Sequence, residues 1–219
     1  MTGAELLEYI RTDLLRDSAQ PYLWSDELIF KYINEAQDFM VRATYCLVDS
    51  TTPAYTQIAT ANGTAEYDLD ELVLHVLSAR KSTDSTHMRD WTNRVVPSHL
   101  LTTTGAPVAY NLDESQQTIR FYPTPDDTYT IYLRVARMPI ESITDANSPE
   151  ISRRFHMDLG EYVAYKCQIQ NDVDGNNQSS ADRFKASWDA RVLSAKREYY
   201  RLRHGANPTA VVNWTGKRR

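Results

Sequence analysis

The feature that most constrains the fold is a double change of hydrophobic period along a chain of 219 residues. Apolar residues recur at helical spacing in residues 1–50, alternate with polar residues in 51–150, and return to helical spacing in 151–203. Because neither helix pair can bury both of its faces alone, the two helical segments are expected to pack together. The chain therefore predicts an α+β fold, in which N- and C-terminal helix pairs form a four-helix bundle around an inserted β domain.

Two helices are predicted in the first segment. Thr2 and Glu5 have the spacing of a capping box, which satisfies two backbone N–H groups at the start of a helix, and this first helix is expected to end near Asp17. Pro21 interrupts the pattern, and a second helix is expected from Ser25. Its apolar residues fall on one arc of a helical wheel: Leu28, Ile29, Tyr32, Ile33, Ala36, Phe39, Met40 and Ala43.

The middle segment predicts about five or six short strands in an antiparallel sandwich or barrel-like domain. Asn62-Gly63 lies between two apolar stretches and favours the two-residue turn of a β-hairpin, which needs positive φ at both positions. Apolar and polar residues alternate from Tyr129 to Ala136, as in a half-buried strand. Two further helices are predicted within 151–203, and residues 204–219 are expected to form an extended C-terminal arm.

The net charge of −5 conceals a strong asymmetry along the chain. Residues 1–50 carry −5, residues 51–150 carry −6, and residues 151–219 carry +6. The basic end has three interpretations: a solvated helix face with a free tail, contact with nucleic acid through phosphates and Trp214, or an arm that docks on an acidic partner. The third is favoured, because Val211, Val212 and Trp214 supply apolar anchors between the charges.

The chain lacks the motifs of the common enzyme classes, including GxSxG, a glycine-rich phosphate loop and HExxH. No two of the five histidines are three or four positions apart, so no metal pair on a helix is expected. We therefore expect no enzyme, and no catalytic, metal or cofactor-binding residue. No apolar run of ~18 residues and no basic leader are present, so neither a membrane-spanning nor a secreted protein is expected.

Two polar residues of the third helix fall within its apolar arc, His156 and Lys166. One interpretation is a hydrogen-bonded buried histidine and a lysine whose charged end reaches the surface. The other is that a second side of this helix faces a neighbouring subunit, which makes His156 and Lys166 candidates for a subunit interface. The residues alone favour neither.

Several segments together resemble the head-to-tail adaptor (connector) proteins of tailed bacteriophages, especially those of the short-tailed, podovirus type. The stretch from Pro21 to Gln37 is similar to the N-terminal helix of that family. Three more stretches follow in the family's order and spacing, at Gly105–Tyr110, Ile119–Pro125 and Tyr129–Pro139. The resemblance extends to residue 203, and the C-terminal arm is the least constrained part.

The resemblance implies a structural virion protein that is made in the host cytoplasm and acts in tail assembly and genome ejection. Such adaptors typically form a dodecameric ring that joins the portal to the tail and extends the DNA channel. The implied partners are the portal protein, a tail or nozzle protein, further copies of the chain, and DNA that passes without sequence recognition; no membrane is implied.

The portal-docking arm is predicted to use basic and apolar side chains near the C-terminus: Arg201, Arg203, Val211, Val212, Trp214, Lys217, Arg218 and Arg219. The alternative function is a DNA-binding accessory protein that uses the basic fourth helix and tail.

Overall fold

The chain divides into two compact units in the computed structural model. The helical unit combines residues 1–44 with 143–219, and the β unit consists of residues 45–142. The change of period in the sequence predicts domain borders at 50/51 and 150/151. The borders in the structure lie six and eight residues earlier, at 44/45 and 142/143. The fold is mixed α+β, with long helices in one unit and two β-sheets in the other. The structure describes residues 1–84, 86–92, 94–113, 115–170 and 178–204.

The first helix of the helical unit begins with the predicted capping box. Helix α1 spans Gly3–Tyr9; the Thr2 hydroxyl accepts from the Glu5 amide at 3.2 Å, and the Glu5 carboxylate accepts from the Thr2 amide at 2.9 Å. The chain then continues in π-helical geometry over Ile10–Leu15 and leaves the helix at Arg16, whose φ of 55° is left-handed. The predicted single helix is thus two consecutive helical segments, which end close to the expected position.

Arg11 in the π-helical segment fixes the loop that leads to the second helix. Its guanidinium is buried, donates to Asp17 at 2.8 Å and to the Trp24 carbonyl at 2.7 Å, and also contacts the Asp26 carboxylate. The Tyr22 ring lies 3.9 Å from the guanidinium carbon. A buried charge is costly unless it is paired and hydrogen-bonded, so these contacts hold the loop in one conformation.

Three longer helices complete the unit. Helix α2 spans Asp26–Thr44, α5 spans His156–Gln168 after a 3₁₀ turn at Arg153–Phe155, and α6 spans Gln178–His204. Helix α5 packs against α2, α6 and the π-helical segment. Phe39, which the wheel places on the apolar arc of α2, is 49% exposed because it lies at the edge of that arc. The fully buried side chains of the unit include Leu6, Ile10, Ile33, Met40, Leu159 and Trp188.

Polar contacts join the first segment of the helical unit to the segment that returns after the β unit. The Asn34 side chain donates to the Ile143 carbonyl at 3.1 Å and accepts from the Ile143 amide at 2.7 Å. The buried Gln37 accepts from the Glu150 amide at 2.9 Å. These contacts satisfy backbone groups of the returning segment where it has no helix or strand of its own.

The first sheet of the β unit, sheet A, is built around β8, Thr130–Arg137. Strand β4, Val73–Lys81, pairs antiparallel with it along one edge. The short strands β1, Val48–Asp49, and β2, Gln57–Ala59, pair antiparallel with successive parts of the other edge. The one-turn helix α3, Pro53–Thr56, connects β1 to β2.

The second sheet, sheet B, has the strand order β3-β7-β6-β5. These strands span Glu66–Asp68, Thr118–Tyr122, Ala109–Asp113 and Arg89–Asp90, and the short helix α4, Ser98–Thr102, lies between β5 and β6. The sequence predicts a wholly antiparallel domain. The β5–β6 pair is parallel, so this part of the prediction is wrong.

One apolar core lies between the two sheets. It takes Val76, Ile131 and Leu133 from sheet A, and Ile119 and Phe121 from sheet B. The β unit is therefore a sandwich of two open sheets that share a core, and the sheets do not close into a barrel.

The predicted hairpin at Asn62-Gly63 is wrong in its strand pairing. Gly63 has a positive φ of 79°, but Asn62 does not, so only one of the two positions has the backbone that the predicted turn needs. In addition, β2 before the turn pairs with β8, and β3 after it pairs with β7, so the turn carries the chain from sheet A to sheet B. The residues of a turn determine only the local backbone conformation. The pairing of the flanking strands is decided by burial, because Ile58 and Tyr67 pack against the common core from different sheets.

Gly3 offers a test of the contact between the two segments of the helical unit. A Cβ at this position would lie 1.9 Å from the Thr144 carbonyl oxygen, and the Gly3 amide already donates to the Asn147 carbonyl at 2.7 Å. We expect Gly3→Ala to lower the free energy of unfolding by ~1–3 kcal/mol, because backbone must shift to admit the methyl group. Urea unfolding followed by circular dichroism measures the change.

Gly105→Ala is the matched control, since the nearest atom to its Cβ is 3.5 Å away. It should leave the urea midpoint nearly unchanged. Equal midpoints for Gly3→Ala and the unaltered chain would contradict a close backbone contact at Gly3.

Candidate docking surfaces

The described end of α6 forms a basic surface with exposed apolar side chains. Helix α6 buries Trp188 and Ala195 in the helical unit, whereas Tyr200 is 58% and Leu202 66% exposed. Exposed basic side chains accompany them on the last turns: Lys196, Arg197 and Arg201. A surface that combines apolar side chains with one sign of charge has the composition of a protein docking site.

Two contacts hold this part of α6 against the 3₁₀ turn before α5. The Phe155 and Tyr199 rings pack with their centroids 5.7 Å apart. Arg154 contacts the carboxylate of Glu198, which is the single acidic residue between Arg191 and Arg219. The basic end of α6 is thus positioned by packing before the chain leaves the helix.

Two of the predicted portal-docking residues lie on α6. Arg201 is exposed and Arg203 is half-buried, three residues and one residue before the end of the helix at His204. The other predicted members of the arm lie outside the described residues: Val211, Val212, Trp214, Lys217, Arg218 and Arg219. The docking role of the arm stays a prediction.

His156 is the first residue of α5 and is only 4% exposed. Its Nε2 lies 2.9 Å from the Ile151 carbonyl oxygen, while its Nδ1 has no hydrogen-bond partner in the described part of the chain. The contacts of this histidine are therefore internal to the helical unit, and its role at a subunit interface stays a prediction.

Lys166 on α5 belongs to a partly exposed polar network with α2. Its Nζ donates to Glu35 Oε1 at 3.0 Å and lies 5.2 Å from the centre of the Tyr32 ring. The Tyr162 hydroxyl donates to the same Glu35 oxygen at 2.5 Å. Lys166 thus has intramolecular partners, and contact with a neighbouring subunit is untested.

The Glu35 network shifts the pKa values of two of its members. Burial alone would raise the pKa of Glu35, but the hydrogen bonds from Tyr162 and Lys166 outweigh burial and lower it. Burial, reinforced by the nearby Glu35 carboxylate, raises the pKa of Tyr162. Spacing along α2 gives no sign of this network, because the lysine that binds Glu35 lies 131 positions further along the chain.

The described residues hold no group of three or more His, Cys, Asp or Glu side chains that could bind a metal ion. Neither of the two cysteines, Cys46 and Cys167, forms a disulfide bond. Burial raises the pKa of Cys167 to about 12, so this thiol is a poor nucleophile. Among the helices that the structure describes, none combines the length and apolar character needed to cross a membrane.

Glu35→Gln tests whether the ionised carboxylate stabilises the helical unit. The lowered pKa in the folded state means that this stabilisation is present above the unfolded pKa of ~4.3 and is lost as the pH falls through the folded value. The side chain is 41% exposed, so we expect the variant to lose at most ~1 kcal/mol near neutral pH. Thermal unfolding measured from neutral pH to about pH 3 should show this difference shrink.

Glu71→Gln serves as the control, because Glu71 is exposed and forms no ion pair with any described residue. It should differ from the unaltered chain by the same small amount at every pH. A Glu35→Gln effect that does not depend on pH would contradict the role of the carboxylate charge.

Comparison with known proteins identifies the family. The family model described as SU10 adaptor protein matches residues 1–212, which include the whole β unit, most of the helical unit and residues 204–212 of the C-terminal arm. No curated protein matches the chain. The chain therefore belongs to the SU10 adaptor protein family, a family of phage adaptor proteins.

Proposed function

We propose that this protein is a head-to-tail adaptor whose copies form a dodecameric ring between the portal and the tail and extend the DNA channel. The observation that carries the proposal is the match of the adaptor family model to residues 1–212. We further infer that α1, α2, α5 and α6 form the four-helix bundle of each subunit. The protein then acts in the virion through binding surfaces and catalyses no reaction.

The helical unit and the arm at residues 204–219 are assigned to the portal. The exposed basic end of α6 supports this assignment, because the arm continues directly from it. Basic charge speeds docking on an acidic surface but is screened beyond ~8 Å at physiological salt. Trp214 and the two valines, Val211 and Val212, therefore supply the lasting affinity. Neighbouring subunits hold further arms at high effective concentration, which strengthens a modest single contact.

The β unit is assigned to binding a tail or nozzle protein. DNA passes through the ring without sequence recognition, and the charge of the chain suits this passage. Residues 1–150 carry a net charge of −11, which repels phosphate and keeps DNA from adhering to the channel wall.

Deletion of residues 205–219 tests the arm. The deletion starts after the end of α6, so the variant should keep its circular dichroism spectrum and unfolding midpoint. Portal binding, measured by surface plasmon resonance on immobilised portal rings, should be lost. Unchanged binding would remove the arm from the docking surface.

Two matched variants separate the apolar from the basic contribution of the arm. Trp214→Ala should raise the dissociation rate at every salt concentration, because an apolar anchor acts after docking. Simultaneous replacement of Lys217, Arg218 and Arg219 by Ala should mainly lower the association rate at low salt, because exposed charges steer the encounter. If both variants changed the same rate constant, the division of roles within the arm would be wrong.

Electron microscopy of the protein mixed with portal tests the ring. We expect an added ring with a central hole on the portal vertex, with one subunit for each portal subunit. Portal particles that carry no added density would contradict the adaptor role.

The alternative is a DNA-binding accessory protein, and the observation in its favour is the exposed basic trio Lys196, Arg197 and Arg201. This function requires duplex DNA to bind at micromolar protein and to dissociate as salt rises. DNA binding that is lost on mutation of the trio, together with an absence of portal binding, would support this alternative over the adaptor.

A further inference from the structure

Sheet A carries a basic groove on the face turned away from the β core. The groove has a volume of ≈ 290 Å³, and its lining includes Arg80, Arg134, Tyr132, Gln57 and Ser78. In the strand register Arg80 lies opposite Tyr132 and Ser78 opposite Arg134, so the two arginines are diagonal neighbours on adjacent strands. The Arg80 guanidinium carbon lies 5.1 Å from the centre of the Tyr132 ring, which holds that side chain along the groove.

The two guanidinium groups of this groove have no carboxylate partner. Arg80 and Arg134 are exposed and form no ion pair with any residue that the structure describes, and no carboxylate lines the groove. Elsewhere in the unit, Lys81 pairs with Asp84 at 3.1 Å and Arg137 with Asp49 at 3.3 Å. The β unit as a whole carries twelve acidic and seven basic side chains, so a groove with only basic charge is a local departure from its surroundings.

One end of the outer face of sheet B has the opposite charge. Asp68 on β3 and Asp113 on β6 both lie opposite Thr118 of the central strand β7, so the two carboxylates share one row across the sheet. Both are exposed, and their chain neighbours Tyr67 and Leu112 face the core. In the next row, Glu66 lies opposite Arg120, and these two charges offset each other. Arg89 on β5 lies opposite Ala109 in the row beyond, so the acidic part of the face is the end with Asp68 and Asp113.

The two charged faces lie on opposite sides of the sandwich, because sheets A and B enclose one core between them. A two-fold symmetric contact would bring each face against its own copy and would oppose like charges. A head-to-tail contact brings the basic face of one copy against the acidic face of the next, and repeated head-to-tail contacts form a ring when the rotation between neighbouring copies closes. The charge distribution of the β unit therefore favours head-to-tail association.

We propose that the outer face of sheet A of one subunit binds the outer face of sheet B of the next, with Arg80 and Arg134 against Asp68 and Asp113. This inference rests on the ring proposed above and specifies which surfaces close it. Guanidinium groups suit the role because they bind carboxylates through two parallel hydrogen bonds.

A phosphate backbone could meet the same guanidinium groups, but a copy of the chain is the better occupant. Two exposed carboxylates in one row, Asp68 and Asp113, are present on this very chain to match the two arginines. Pairing the basic groove with it also leaves the acidic remainder of the subunit to face DNA, as passage without adhesion requires.

The test uses two charge-reversed forms of the full chain, one with Arg80→Glu and Arg134→Glu, the other with Asp68→Lys and Asp113→Lys. The first form has two acidic faces and the second has two basic faces. Sedimentation velocity at low salt measures self-association of each form alone and of an equimolar mixture. Circular dichroism confirms that each form is folded, and the neutral pair Arg80→Gln with Arg134→Gln replaces the first form if it is not.

The unaltered chain should self-associate at low salt and dissociate as salt rises. Each reversed form alone should associate more than about tenfold more weakly, because like charges then meet across the contact. The equimolar mixture should recover association to within about threefold of the unaltered chain, because each copy then meets its complement on both sides. The neutral pair should weaken association less than the full reversal does.

Control forms carry the same change of net charge on the helical unit, Lys31→Glu with Arg42→Glu, and Asp13→Lys with Glu27→Lys. All four side chains are exposed. These forms should associate like the unaltered chain, alone and mixed, which separates a local contact from a general effect of net charge.

Three results would overturn the inference. They are an unaltered chain that stays monomeric at low salt, reversed forms that associate as well as the unaltered chain, and a mixture that does not recover. Duplex DNA binding that the arginine reversal abolishes while self-association persists would assign the groove to DNA instead. Portal binding of the same samples is measured separately, so that failure of this contact is distinguished from failure of the adaptor function.

Discussion

The fold depends on a helical unit that is closed by two segments far apart in the chain. Asn34 and Ile143 lie 109 positions apart, yet the amide side chain pairs with both the N–H and the C=O of Ile143. Gly3 allows the start of α1 to approach the backbone at Thr144, and Gln37 binds the Glu150 amide. These contacts are made to backbone N–H and C=O groups of the returning segment. They therefore fix its path without using its own side chains. The long helices α5 and α6 follow this segment in the chain and pack against α2.

The sequence predicts well those features that depend on neighbouring residues. The capping box at Thr2 and Glu5, the helix α2 and the strand β8 all follow from local period and spacing, and the α+β class follows from their order. The family is predicted as well, because its combination of motifs spans most of the chain.

Features that depend on distant residues escape such reasoning. The Asn62-Gly63 turn is present, but burial of the flanking strands in two different sheets decides their partners. Glu35 finds its partner on α5 rather than on its own helix. The two charged faces of the β unit emerge only once the strand registers place Arg80 beside Arg134 and Asp68 in a row with Asp113. In each case spacing along one element gives no information about the element that packs against it.

The insertion of the β unit within the helical unit also affects how the molecule responds to a cut. A single break of the backbone anywhere in residues 45–142 leaves two fragments, and each keeps one of the two segments of the helical unit. The contacts of Asn34 and Gln37, together with the apolar core between α2 and α5, hold those fragments together without a peptide bond. We therefore expect the two fragments of a subunit that is cleaved in its β unit to stay associated through the helical unit.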